Sequence, residues 1–236
     1  MLVDEQRSRN VPRAPRRALA RFLRDNSLSV ACLALFVIFA IGLALTGHRE
    51  FNADQVAHHE PTISFWTYLG DSHFWQALSE NWESEFLQMG AYVLLTVFLV
   101  QKGSAESKDP DEHEAVDDEP DRSDPKAPWP VRRGGVWSKL YENSLLIAFT
   151  VLFLASFLLH AVSGAHAFSA EQQAHGEAAV STLEYFRSAR FWFESFQNWQ
   201  SEFLAVFAIV VLSIFLRQRG SPESKPVGAP HSATNA

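Results

Sequence analysis

The chain has 236 residues, a formal net charge of -7 and 47% hydrophobic residues. Its one cysteine, Cys32, excludes a disulfide within the chain. The net charge is a sum of segregated blocks: a basic N-terminus, an acidic middle and four apolar segments with almost no charge.

Residues 1–25 form a basic segment carrying Arg7, Arg9, Arg13, Arg16, Arg17, Arg21 and Arg24. Pro12 and Pro15 break up its first part. From Arg16 onward, Leu19, Phe22 and Leu23 alternate with arginines at helical spacing. That spacing predicts a short basic helix at an anionic membrane surface, or a solvated tail that only sets topology. Residues 28–47 then run for about twenty positions without a charge, enough to cross a bilayer core of about 30 Å. A basic flank before an apolar run also describes a signal peptide. A matching run at 145–164, in mid-chain, argues for a spanning helix instead. Cys32 inside the first run reads as a small buried hydrophobe.

Residues 47–80 form a polar loop. Asn52 and Gln55 have capping-box spacing, as do Ser169 with Gln172 and Ser181 with Glu184 further on. The loops are therefore expected to hold short helices near the membrane surface. Trp66, Trp75, Trp82 and Tyr68 fit an aromatic belt at headgroup level, and Tyr185, Trp192 and Trp199 match three of them. The histidines His48, His58, His59, His73, His166 and His175 show no recognised metal spacing and read as surface residues.

The apolar runs 86–100 and 203–216 are short, about fifteen residues against the usual twenty. Each helix must begin earlier, near Asn81 and Asn198. That draws Glu85 and Glu202 about one turn inside the boundary. An ionisable group inside a span points to function. Asn81 and Asn198 lie four residues earlier on the same helix face, and Trp82 and Trp199 three earlier. Glu85 and Glu202 are thus a candidate proton-sharing pair or cation site, or else interfacial glutamates reaching for water. Lys102–Gly103 and Arg219–Gly220 read as helix stops. Residues 109–135 are acidic and poor in large apolar side chains, so a disordered linker is expected there, and a disordered tail at 226–236.

The chain is a tandem duplication. Asn26 aligns with Asn143 and Lys108 with Lys225 without a gap, and roughly four residues in ten are identical. The units are 26–108 and 136–225. Lysine and arginine counting puts both termini and the linker on the cytoplasmic side of an inner membrane. The expected fold is an all-α membrane protein: four transmembrane helices as two parallel tandem hairpin repeats, with short interfacial loop helices.

Around Asn81-Trp82-Glu83-Ser84-Glu85-Phe86-Leu87, with Gln101-Lys102-Gly103-Ser104 and Glu106-Ser107-Lys108 after it, the chain resembles a family of uncharacterised bacterial integral membrane proteins, a domain of unknown function. The resemblance covers both repeats and implies a membrane location and a bacterial source. The second copy departs from it at Gln88, Met89 and Gly90, which become Ala205, Val206 and Phe207. No nucleophile elbow, phosphate loop or dinucleotide fingerprint is present. The expected function is a non-enzymatic scaffold or accessory protein without cofactor or metal. Its partners would be the lipid bilayer and a protein or second copy, not nucleic acid. The alternative is a small transporter or cation pathway through Glu85 and Glu202.

Overall fold

A computed structural model describes residues 15–234, and the regular elements among them are helical. Arg7, Arg9 and Arg13 of the basic segment lie outside the described residues. The chain divides into two compact units, residues 1–67 and 68–236.

The first unit holds α1 (Pro15–Asp25) and α2 (Ser27–Ala57), and runs into a single turn, α3 (Phe65–Tyr68). Leu19, Phe22 and Leu23 are exposed on α1, which suits a helix lying on lipid. The loop after α2 is stapled rather than capped. Asn52 donates to the Ile63 carbonyl at 3.0 Å and accepts from the Ile63 amide at 2.8 Å.

The second unit holds α4 (Ser72–Phe98), α5 (Trp129–Arg133), α6 (Gly135–Glu142), α7 (Ser144–Ala174), α8 (Thr182–Arg187) and α9 (Ala189–Phe215). The α4 helix packs along α7 and, less extensively, α9, while α8 lies against α7 and α9. Small and polar residues line the close approaches: Ser79, Ser84 and Gly90 on α4, and Ser156, Ala161, Ser163 and Ala165 on α7. A Cβ on Gly90 would stand 3.3 Å from Cβ of Phe149. Lipid tails are as apolar as leucine, so helices in a membrane associate through such close packing and through hydrogen bonds.

Among the described residues, three helices are long and apolar enough to cross a membrane: α2 and α7 with 31 residues each, and α9 with 27. A helix of 27 residues spans about 40 Å, more than a hydrocarbon core. The α4 helix has the same 27 residues, but Glu80, Glu83, Glu85 and Gln88 interrupt its apolar run.

The helices run further into the loops than the apolar runs suggest. The α4 helix starts at Ser72, because Asp71 accepts from the His73 amide at 2.8 Å. The α9 helix starts at Ala189, where Ser188 accepts from Phe191 N at 3.2 Å. Trp75, Trp82, Trp192 and Trp199 therefore sit on long helices. Asn52 and Ser169 do not cap; each lies inside α2 or α7 and holds the returning loop, Ser169 through the Val180 amide at 3.0 Å. Only Ser181 and Glu184, of the expected boxes, form a reciprocal capping box. The stops also fall earlier: α4 and α9 end at Phe98 and Phe215, and Gly103 and Gly220 follow in turns at φ 87° and 85°. Cys32 is exposed on α2, not buried, because residues 27–39 of that helix are exposed on every side and offer it no neighbour to pack against.

Residues 109–128 are turns around one 3-10 turn at Ala115–Asp117, with Lys108 paired to Asp117 at 2.7 Å. Element bounds and loop contacts recur at the offset that carries Asn26 to Asn143. The α2 and α7 bounds match in this way, as do those of α4 and α9, and Gln101 N and Gln218 N each donate to a serine hydroxyl at 2.8 Å.

Candidate functional site

Where α4, α7 and α9 meet, polar side chains converge on one histidine. His160 of α7 has no exposed surface. Its Nδ1 lies 2.9 Å from Oε2 of Glu83 on α4, and its Nε2 lies 3.3 Å from Oε2 of Glu194 on α9. Glu83 is equally buried, and its other oxygen accepts from the Ser195 hydroxyl at 2.8 Å. The imidazole stacks on Phe191, ring centroids 4.7 Å apart. With Nδ1–H given to Glu83, Nε2 is the variable nitrogen. It donates to Glu194 when protonated and offers a lone pair when it is not.

A second ring of groups fixes the carboxylates. Glu194 accepts from the Tyr185 hydroxyl on α8 and, through Oε1, from Arg190 Nε at 2.9 Å. Arg190 also binds Glu171 at 2.7 Å and lies over Phe168. Glu80, one turn before Glu83 on α4, accepts from Asn198 Nδ2 at 2.7 Å. Tyr185 is buried outside the spanning helices. Its burial, then the Glu194 carboxylate beside it, push the phenol up, so it remains a neutral donor. Its ring closes over Gly164, where a Cβ would stand 2.4 Å from the hydroxyl. The capping box of α8 sets the turn that presents Tyr185.

Glu80, Glu83 and Glu194 face one imidazole and one guanidinium, and that guanidinium is shared with Glu171. Carboxylates brought together in a poorly hydrated bundle are stable only with cations or protons among them. The centre is open at one edge: the Glu194 side chain keeps 14% exposure and that of Arg190 42%.

The match to "Domain of unknown function (DUF6766)" runs over residues 19–236, from within α1 to beyond α9. The chain belongs to the DUF6766 family. Comparison with curated proteins yields no match, and comparison with solved structures yields none.

The residues singled out in the sequence are divided by the structure. Asn198 joins the centre through Glu80, whereas Asn81 bonds back to the Ala77 carbonyl of its own helix at 2.7 Å. Glu85 is exposed and Glu202 half-buried; they are electrostatic neighbours, but neither bonds to His160. Gln88 donates to the Glu202 backbone carbonyl at 2.7 Å. Trp75 donates to the Leu69 carbonyl at 3.0 Å, Trp82 is half-buried on α4, and Trp192 and Trp199 pack edge to face beside Phe157.

His160, Glu80, Glu83 and Glu194 escape a reading that looks for recurrence. Their partners in the other repeat are Leu43, Gln197, Gln200 and Ala77. The signal that finds His160 is a titratable residue within a span, the single one in residues 145–164.

Proposed function

We propose that this protein is a non-enzymatic integral membrane protein whose centre at Glu80, Glu83, His160 and Glu194 binds a small cation as part of a transport pathway. One observation carries the reading: the carboxylates gathered inside the helix bundle outnumber the cationic groups that answer them. This moves the cation pathway expected at Glu85 and Glu202 by about one helical turn on α4 and about two on α9, onto residues that only one half of the duplication carries.

The reading takes α4 as a fourth spanning helix. Its polar residues Glu83, Ser84 and Gln88 are buried against other parts of the protein, which leaves Glu85 as the exposed charge of that stretch. The two hairpins would then be parallel repeats in a bacterial inner membrane, with both termini and residues 109–135 cytoplasmic, as the lysine and arginine asymmetry supports. Reporters placed near Asp117 and after Ser221 should read cytoplasmic, and one near Gln172 external. An external reading after Ser221 would refute the four-span arrangement.

The test of function is flux. Full-length protein in phospholipid vesicles should pass protons or metal ions above the rate of empty vesicles. Glu194→Gln should abolish that flux while leaving insertion intact. A second reading, a scaffold or accessory protein, is favoured by the fact that both Glu83 oxygens and both His160 nitrogens have partners, as in a pin that fixes helix register. Flux at the level of empty vesicles would favour the scaffold.

A further inference from the structure

Glu80, His160 and Glu194 come from three helices, and one ligand atom from each lies within 4.8 Å of the others. His160 Nε2 and Glu194 Oε2 are 3.3 Å apart. Four-coordinate ions with bonds of about 2.0–2.1 Å hold their ligand atoms roughly 3.3–3.4 Å from one another. The spacing therefore suits a shared ion as well as a hydrogen bond.

The surroundings are those of a built site. A metal-bound histidine almost always gives its other ring N–H to a carboxylate, a backbone carbonyl or water, which fixes the tautomer and aims the free lone pair. Glu83 does this for His160 at 2.9 Å, and Ser195 holds Glu83 in turn. Arg190 holds Oε1 of Glu194, and Asn198 holds Oε1 of Glu80. The Tyr185 hydroxyl donates to Glu194 Oε2 and supports the same carboxylate. Each prospective ligand thus has one polar atom held by a neighbour: Nδ1 of His160, Oε1 of Glu194 and Oε1 of Glu80. The surplus of negative charge at the centre favours a cation there.

The donor set selects among cations. Sodium, potassium, magnesium and calcium favour oxygen donors, whereas an imidazole with carboxylates suits first-row transition ions. We propose that Glu80, His160 and Glu194 bind one divalent first-row transition-metal ion, His160 through Nε2, with water completing the shell. The site deepens the cation-centre reading of the preceding subsection and rests on it. The ion enters at the edge where Glu194 and Arg190 reach solvent.

The experiment uses tag-free, full-length protein in detergent, treated with chelator and titrated with Zn2+ and Mn2+ by calorimetry. Co2+ serves as a visible-absorption probe of coordination. One equivalent should bind, and Co2+ should give the intense absorption of a low-coordinate site. Glu80→Gln keeps a carbonyl oxygen for Asn198 and should fold, yet bind at least about tenfold more weakly; Glu83→Gln should lose about 10–100-fold through the imidazole it orients. Glu177→Gln, on the loop after α7, should bind as the wild type does. Wild-type protein that binds no ion, or Glu80→Gln and Glu194→Gln proteins that bind as well as the wild type, would overturn the site. The two readings fail separately. A proton flux abolished by Glu194→Gln, without metal binding, would remove the metal site and leave the cation centre standing. Absence of both would remove both.

Discussion

Nδ1 of His160 lies 2.9 Å from Oε2 of Glu83, and neither side chain has exposed surface. The pair joins α7 to α4, the most extensive helix contact in the second unit. Removing one member of a buried ion pair typically costs about 3–5 kcal/mol, because the other is left without compensation. Neutral interhelical hydrogen bonds in membranes average only about 0.6 kcal/mol, with a maximum near 1.7. His160→Leu and Glu83→Gln install residues that the other repeat carries at the aligned positions, Leu43 and Gln200. Each alone should lower stability strongly, and the double variant should recover much of the loss. Unfolding in detergent measures the coupling. A value above about 1.7 kcal/mol marks a charged pair, whereas additive losses would mean that the two groups act independently.

The gapless alignment of the two halves also bears on what was legible in the sequence. The membrane class, the helical fold and the Ser181–Glu184 box follow from local patterns, which composition and spacing record directly. The helix starts at Ser72 and Ala189 were hidden, since the capping residues Asp71 and Ser188 lie well before the apolar runs. The centre was hidden for another reason. Recurrence singles out what both copies need, such as Asn81 with Asn198 and Glu85 with Glu202. A site at the meeting of α4, α7 and α9 is built once, from positions where the copies differ. Glu83 stands two residues from Glu85, yet the helical rotation between them separates a buried position from an exposed one.

Gly164 is predicted to be intolerant of a methyl group. Alanine is normally favoured over glycine inside a helix by about 1 kcal/mol. At Gly164, however, the added Cβ would meet the Tyr185 ring at 2.4–2.6 Å. Gly164→Ala should therefore destabilise the protein by about 1–3 kcal/mol, the usual cost of overpacking. It should also push Tyr185 off Glu194. Gly42→Ala on α2 is the control, with nothing within 4 Å of its Cβ, and should be neutral or mildly stabilising. Melting temperatures of the two variants in one detergent check the contrast; equal shifts would refute it.

Ser181→Ala should loosen α8 without disturbing the spanning helices. The serine accepts from the Glu184 amide, and the Glu184 carboxylate accepts from the Ser181 amide at 2.7 Å. Loss of such a cap costs about 0.5–2 kcal/mol. Because α8 carries Tyr185, the expected signature is faster hydrogen exchange in α8 and around Glu194, with α4 unchanged. Exchange that stays at wild-type rates in α8 would show that packing of Tyr185 and Phe186, not the cap, holds the turn.

Lys225 and Lys108 occupy aligned positions and are predicted to differ in weight. Lys108 makes a half-exposed ion pair with Asp117. Pairs of that kind contribute about 0–1 kcal/mol. Lys225 is 1% exposed, and its ammonium donates to the carbonyls of Gly103, Ala233, His231 and Pro230 at 2.5, 2.8, 3.0 and 3.4 Å. It thereby ties the turn after α4 to the C-terminal segment, and Thr234 adds a bond to the Gly103 amide at 2.9 Å. A hydrogen bond to a charged group is worth about 1.5–3 kcal/mol. Lys225→Met keeps the length of the stem and removes the donors, leaving several carbonyls without a partner. It should lower stability by at least about 1.5 kcal/mol and expose residues 226–234 to protease. Lys108→Met should change stability by less than about 1 kcal/mol. Protease resistance of the tail in the Lys225→Met protein, or equal melting shifts for the two variants, would count against the clamp.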